Sequence, residues 1–320
     1  MLSMRVLILR CGPAAQGLNA PAGAEVLDLP QVPARGDLRV LDAAARAVLP
    51  EDPTPSLDEI AARPDVRHLG APGPAPQAPF IDDALRVVVV GSDAALSAVL
   101  TRAMRADFLW VEFGYVPVEP SPAATNWALP VGAGAFPLAV HGAVNPAPLI
   151  RSDRGLAVAG SALLEDFAHG EYTGEIIVDN ATILLRKGED PVSRPRASSS
   201  RPRTSSSRAR TSSSRPRVAK PPRRGLFGAR LVPMTDAPGI AAAVLTTPYS
   251  PVDAGRGPLA RLRGALRPHG EVDESSLRAG RAVQSGGRDI LVTVDGVPAK
   301  RPVKRATFYR HMRDLQIVRP

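Results

Sequence analysis

Two hydrophobic rhythms interleave along the first part of the chain. Residues 4–10 (MRVLILR) and 24–29 (AEVLDL) are short apolar runs of strand length. Residues 38–49 (LRVLDAAARAVL) instead space their apolar positions at three and four, which predicts an amphipathic helix. Residues 56–63 (SLDEIAAR) begin with Ser56 and carry Glu59 three positions on, the signature of a capping box. After a proline-rich connection at 70–80, the run ALRVVVVG (84–91) has no polar alternation, so it predicts a strand buried on both faces. Residues 93–105 (DAALSAVLTRAMR) predict a helix with Asp93 as its N-cap, and 108–118 (FLWVEFGYVPV) predict the next strand. Strand–helix alternation of this kind argues for a parallel sheet covered by helices.

Beyond residue 130 the pattern changes. PLAVHGAV, GLAVAGSALLEDF, GEIIVDNATILLR, ARLVPM, GIAAAVLTT, RDILVTVDGVP and DLQIVRP are short apolar runs between turn residues, the spacing of antiparallel β-structure. The pairs Asp179-Asn180 and Asp295-Gly296 suit hairpin turns. Near the C-terminus, Phe308, Met312 and Leu315 recur at four and three, predicting one buried helical face with Arg310 and Arg313 outside. The expected architecture is an N-terminal parallel-sheet α/β domain over 1–130 and a β-rich, sandwich-like domain over 131–320. A low-complexity insert at 189–225 interrupts the second.

Charge sharpens the picture of that insert. The chain carries a net +9, yet residues 193–224 alone hold ten arginines, Lys220 and no acid. Subtracting these eleven charges leaves the other 288 residues at −2, so basicity belongs to one segment. From Arg194 a seven-residue repeat runs RPRASSS, RPRTSSS, RARTSSS; lacking apolar positions, it cannot form a coiled coil and is expected to be disordered. It reads either as an expanded surface loop or as a tether to an anionic partner, nucleic acid or a membrane surface, tunable by phosphorylation. Over the whole chain, the 36 arginines against four lysines, with much Ala, Pro and Gly, reflect composition rather than function.

Several chemistries are excluded. A lone Cys11 forbids an intramolecular disulfide or a Cys-based zinc cluster, and the five scattered histidines show no metal-ligand spacing, so no metal site is expected. Asp82-Asp83 and Glu165-Asp166 are read as ordinary loop or strand ends, Trp110 and Trp127 as core packing, and Arg102 and Arg105 as a solvated helix face. No Ser–His–Asp or Cys–His arrangement and no Gly-x-x-x-x-Gly-Lys loop is present. The N-terminal apolar run is too short for a signal segment, and no run approaches the length of a membrane span, so a cytoplasmic location is expected.

The joint Gly91-Ser92-Asp93 is where the chemistry concentrates, because a strand-to-helix turn exposes backbone N–H groups to phosphate. The order matters too: a strand ending in Gly-x-Asp, a helix, a strand ending in Pro117, a short helix, then a β domain. Together these resemble the diacylglycerol kinase and NAD kinase superfamily. That family's Gly-Gly-Asp-Gly-Thr falls on Gly91-Ser92-Asp93-Ala94-Ala95, keeping Gly91 and Asp93. Its Pro-x-Gly-Thr-x-Asn falls on residues 117–122, keeping Pro117 alone. Its Asp-Gly-Glu falls on Asp295-Gly296-Val297, with valine where the family carries its base. The resemblance implies a ligand cleft near Gly91, Ser92, Asp93 and Pro117, with Asp93 and Asp295 as candidate catalytic groups. ATP and Mg²⁺ would be the cofactors of a live site. The retained residues shape backbone and the lost ones do chemistry, so the expectation is a degenerate phosphoryl-transfer site that binds a nucleotide or lipid. The alternatives are an active lipid or NAD kinase, with Glu119 or Glu112 as substitute base, and an adaptor acting through the basic insert.

Overall fold

The computed structural model describes residues 4–63, 70–187, 225–249 and 269–320; the arginine/serine repeat lies outside the described residues. The first half runs β1 (Met4–Cys11), α1 (Pro13–Gln16), β2 (Glu25–Leu29), α2 (Arg39–Val48), α3 (Leu57–Ala61), β3 (Ala84–Gly91), α4 (Asp93–Arg105), β4 (Glu112–Pro117), α5 (Pro122–Asn126) and α6 (Phe136–His141). Its four strands form a parallel sheet in the order β2-β1-β3-β4. One face packs Leu7, Leu9, Val87 and Val89 against α2 and α4 through Leu41, Leu96 and Leu100. The other packs Ile8, Val88 and Val90 under Phe136 and Ala139 of α6. Both faces are covered, which is why β3 tolerates no polar position except Arg86. That side chain escapes the core by donating to the carbonyls of Val140 and Gly142 and pairing with Glu112.

The second half is antiparallel: β5 (Ile150–Ser152), β6 (Ala157–Val158), β7 (Ala162–Asp166), β8 (Gly174–Val178), β9 (Ala181–Arg186), β10 (Gly228–Pro233), β11 (Ile240–Leu245), β12 (Val272–Gly280), β13 (Ala282–Val294), β14 (Val297–Pro298) and β15 (Val303–Arg310). The long strand β13 organises it. Its first half pairs with β8 and its second half with β7, while β15 spans a register shift between Gly286 and Ile290. A second core gathers Leu164, Ile176, Leu231, Val283 and Phe308. Both expected hairpins form: Asp179 links β8 to β9 at φ 51°, and Asp295-Gly296 links β13 to β14 at φ 48° and 80°. Consecutive positive φ values are what a two-residue type I′ turn requires.

The α/β half followed by a β-rich half is the architecture expected from the sequence, with three local corrections. PLAVHGAV is not β-structure: residues 136–141 form α6, and Ala139 packs against β4 so closely that a Cβ on Gly114 would lie 2.4 Å from its carbonyl oxygen. The strand expected over 108–118 begins only at Glu112, because the chain turns through residues 108–111. The C-terminus is not a helix. Phe308 lies in β15, and the tail then returns to the first half, where Phe113 and Ile317 form a parallel bridge and Leu315 is buried. Phe308 and Leu315 are therefore buried in different cores, one under each half. Met312 is only half-buried.

Candidate functional site

The joint after β3 is built by its neighbours. A Cβ on Gly91 would stand 3.0 Å from that of Cys11 and 3.2 Å from that of Ala95, so glycine here serves the close approach of β1, β3 and α4. Burial pushes the Cys11 thiol up to about 12, which keeps it protonated and inert. The Gly91 carbonyl accepts from the Val118 N–H at 3.2 Å and lies across β4 from Pro117, which has no N–H to offer. Ser92, not Asp93, is the N-cap of α4: its backbone is extended and its Oγ accepts from the Ala95 N–H at 3.4 Å. Asp93 was expected in that role because it stands beside the helix start. It occupies the first helical position instead, and its carboxylate turns sideways into the protein.

That turn decides what Asp93 does. Its Oδ1 accepts from the Tyr115 hydroxyl at 2.8 Å and from the Ser121 hydroxyl, and its Oδ2 accepts from the Ala123 N–H at 3.0 Å. Burial and the Asp93 charge hold the Tyr115 phenol above its ordinary value, so it stays a donor. Ser121 in turn caps α5 by accepting from the Ala124 N–H, with Pro122 at the first helical position. Asp93 thus ties α4 to β4 and α5.

Asp295 makes a second tie from the opposite side. It is buried at the tip of the β13–β14 hairpin, where its carboxylate accepts from the N–H groups of Ala159 (2.8 Å), Gly160 (2.7 Å) and Ser161 (2.9 Å). Burial, together with the nearby Asp93 carboxylate, raises it to about 7 against the pull of the three backbone donors. Gly160 sits between the two acids. A Cβ there would lie 2.3 Å from Asp93 Oδ2 and 2.8 Å from the Ala123 nitrogen.

A cavity of about 170 Å³ is lined by Ser92, Asp93, Asp295, Gly296 and Glu119, among others. The tertiary structure therefore brings Ser92, Asp93 and Asp295 together, with Gly91 and Pro117 immediately behind. Among the described residues no Lys or Arg lines it, and three carboxylates do. Glu119 is exposed at its edge. Glu112 is not near it: Arg86 pairs with Glu112 while Gly91 pairs with Pro117, so Glu112 lies at the other end of the sheet, roughly 16 Å away at strand rise. Glu112 is thereby corrected from a substitute base to the partner of a buried arginine. No group of three or more His, Cys, Asp or Glu among the described residues is placed to hold a metal ion.

The helix face expected to be solvated is so only in part, since Arg105 is exposed while Thr101 is buried and Arg102 half-buried. Thr101 accepts from the Ala157 N–H and Ser97 donates to the Ala157 carbonyl, so α4 is pinned to β6. Arg102 pairs with Asp42, and Arg105 donates to the carbonyls of Arg154 and Gly155. Beside this face lies a larger cleft, of about 500 Å³, running between α4, the segment after β2, the β5–β6 turn and the β13–β14 hairpin. Val297, which stands where the resembled family carries its base, lines this cleft and not the smaller cavity. Sequence reasoning missed the cleft because its residues come from five separated segments; it also missed Ser121, although Ser-Pro before a short helix is itself a capping signal.

A parallel α/β half joined through such a seam to an antiparallel half is an architecture with solved counterparts. The chain has the fold of solved structures assigned as diacylglycerol kinases. An assigned diacylglycerol kinase from Bacillus anthracis str. Sterne superposes at TM-score 0.51 with 9% identity, covering 99% of this chain and 97% of that one. A second structure of such a kinase from the same organism gives 0.50 and 9%, with the same coverage. An NAD kinase from Archaeoglobus fulgidus, in complex with ATP, follows at 0.38 and 8%, covering 99% and 93%. No protein-family model and no curated protein sequence matches the chain. Identity this low carries the fold alone. Among the described residues no helix is long and apolar enough to cross a membrane.

Proposed function

We propose that this chain uses a diacylglycerol-kinase fold to bind a ligand rather than to transfer phosphate. The observation that carries the reading is the commitment of both candidate acids. Asp93 accepts from three donors and Asp295 from three more, so little of the roughly four-site acceptor capacity of each carboxylate is left for a metal or a substrate hydroxyl. The cavity between them is smaller than the about 300–1,000 Å³ of ordinary ligand sites, and its lining repels a triphosphate. ATP with Mg²⁺ does not fit these residues, and no step is assigned to it. What the two acids do is hold the seam between the halves, with Gly160 as the fulcrum.

The test is ATP-dependent phosphorylation of diacylglycerol and of NAD by the pure protein with Mg²⁺. Thermal-shift measurements against ATP, ADP and NAD, with and without Mg²⁺, accompany it. No turnover and no nucleotide shift are expected. Turnover by the wild-type protein that disappears in Asp93→Ala or in the exposed variant Glu119→Gln would overturn the reading.

A further inference from the structure

The 500 Å³ cleft has a composition of its own. Its floor is aliphatic and buried: Val292, Val294 and Ala306, closed by Phe308, with Leu38 and Ala98 on the walls. Of the polar side chains that α4 turns toward it, Ser97 donates to the Ala157 carbonyl, Thr101 accepts from the Ala157 N–H and Arg102 pairs with Asp42, so each is engaged within the protein.

The mouth is different. Three separate segments each bring one exposed aliphatic side chain and one exposed base within three residues: Val32 with Arg35, Leu156 with Arg154, and Val297 with Lys300. Val32, Leu156 and Val297 are 45%, 38% and 49% exposed, a degree of apolar exposure that is informative when it converges on one opening. Five basic residues line the cleft against one acid, Asp153, whose carboxylate accepts from the Thr307 N–H.

We propose that this cleft binds an anionic single-chain lipid, with the acyl chain over Val292, Ala306 and Phe308 and the head group held by Arg35, Arg154 and Lys300. The occupant follows from complementarity: an aliphatic floor favours a flexible hydrocarbon, and the surplus of positive charge selects an anion over a neutral lipid. A nucleotide fits less well, because the rim presents aliphatic rather than aromatic side chains. The shared chemistry, an acyl chain carrying one anionic head, belongs both to a fatty acid and to a lysophosphatidate. The inference rests on the reading of the chain as a binding protein.

The experiment is displacement of a fluorescent fatty acid from the full-length protein. The competitors are oleate, oleoyl-lysophosphatidate, the neutral oleoylglycerol, glycerol 3-phosphate and ATP. Both anionic lipids should displace the probe, the better one identifying the head group, and oleoylglycerol should be weaker by about tenfold or more. Glycerol 3-phosphate and ATP should not compete. Ala98→Trp, which fills the cleft from α4, should abolish binding. The triple variant Arg35→Glu, Arg154→Glu, Lys300→Glu changes only exposed side chains, so it should fold normally and lose about tenfold in affinity for the anions. Equal binding of oleoylglycerol, competition by ATP, binding only to vesicles, or unchanged affinity in the triple variant would overturn the proposal. ATP turnover with lipid binding intact would sink the non-catalytic reading alone; absence of both turnover and lipid binding would sink this inference alone.

Discussion

Gly160 and the two acids around it are the residues on which the seam depends. Asp93→Ala would leave the Ala123 N–H and the Tyr115 and Ser121 hydroxyls without their acceptor, so a loss of about 3 kcal/mol is expected in urea denaturation. The exposed Asp82→Ala should stay within about 0.5 kcal/mol. Gly160→Ala should lose about 2–3 kcal/mol, because its Cβ would meet Asp93 Oδ2 and backbone at Ala123. Asp295 adds a pH signature. Its folded value of about 7 lies above the ordinary 3.8, so between those pH values the folded protein binds the extra proton. Its contribution is fully present below about pH 4, is lost as pH rises to 7, and is flat above. The stability difference between wild type and Asp295→Asn, followed by urea midpoints from pH 4 to pH 8, should therefore shift against the wild type as pH rises and level off above about 7. A difference independent of pH would mean the carboxyl titrates alike in the folded and unfolded states.

At the scale of elements, helix starts and close approaches set the geometry. Ser92→Ala removes the cap of α4 and should cost about 1 kcal/mol, even though Asp93 remains beside it, because the Asp93 carboxylate faces away. If Ser92→Ala were neutral, Asp93 would be able to rotate into the cap, and the tie to Ser121 would be weak. The C-terminal tail is the other case. Ile317 is fully buried beside Phe113, so Ile317→Ala should cost about 2–4 kcal/mol. Hydrogen exchange should show the loss in β4 rather than in β15.

For the whole molecule, the question is what the basic segment adds. β9 pairs with β8, and β10 pairs with β7 and β11, so the strands on either side of residues 187–227 have partners without it. Replacing 193–224 by a short Gly/Ser linker should leave the melting temperature within about 2 °C, since loop length affects stability only logarithmically. If the segment is a tether, wild-type binding to RNA or to anionic vesicles should fall steeply with salt and vanish in that deletion, while lipid capture in the cleft persists. Binding that survives the deletion would make the segment a passive insert.

Strand β3, the Ser56–Glu59 capping box and the two hairpin turns were legible in the sequence, because each rests on interactions within a few residues or on a periodicity that burial enforces. Local pattern failed where partners are remote. Residues 136–141 look like a strand until they cover the second face of the first sheet, and the four-and-three spacing of Phe308, Met312 and Leu315 coincides with a strand and a returning tail. The chain alone determined which residue types stand at the joint after β3, and that three motif-like stretches keep backbone-shaping residues. Only the tertiary structure decided what those residues touch. A carboxylate at a helix start can cap, catalyse or clamp, and for Asp93 the choice belongs to donors brought from residues 115–123, which no local spacing encodes.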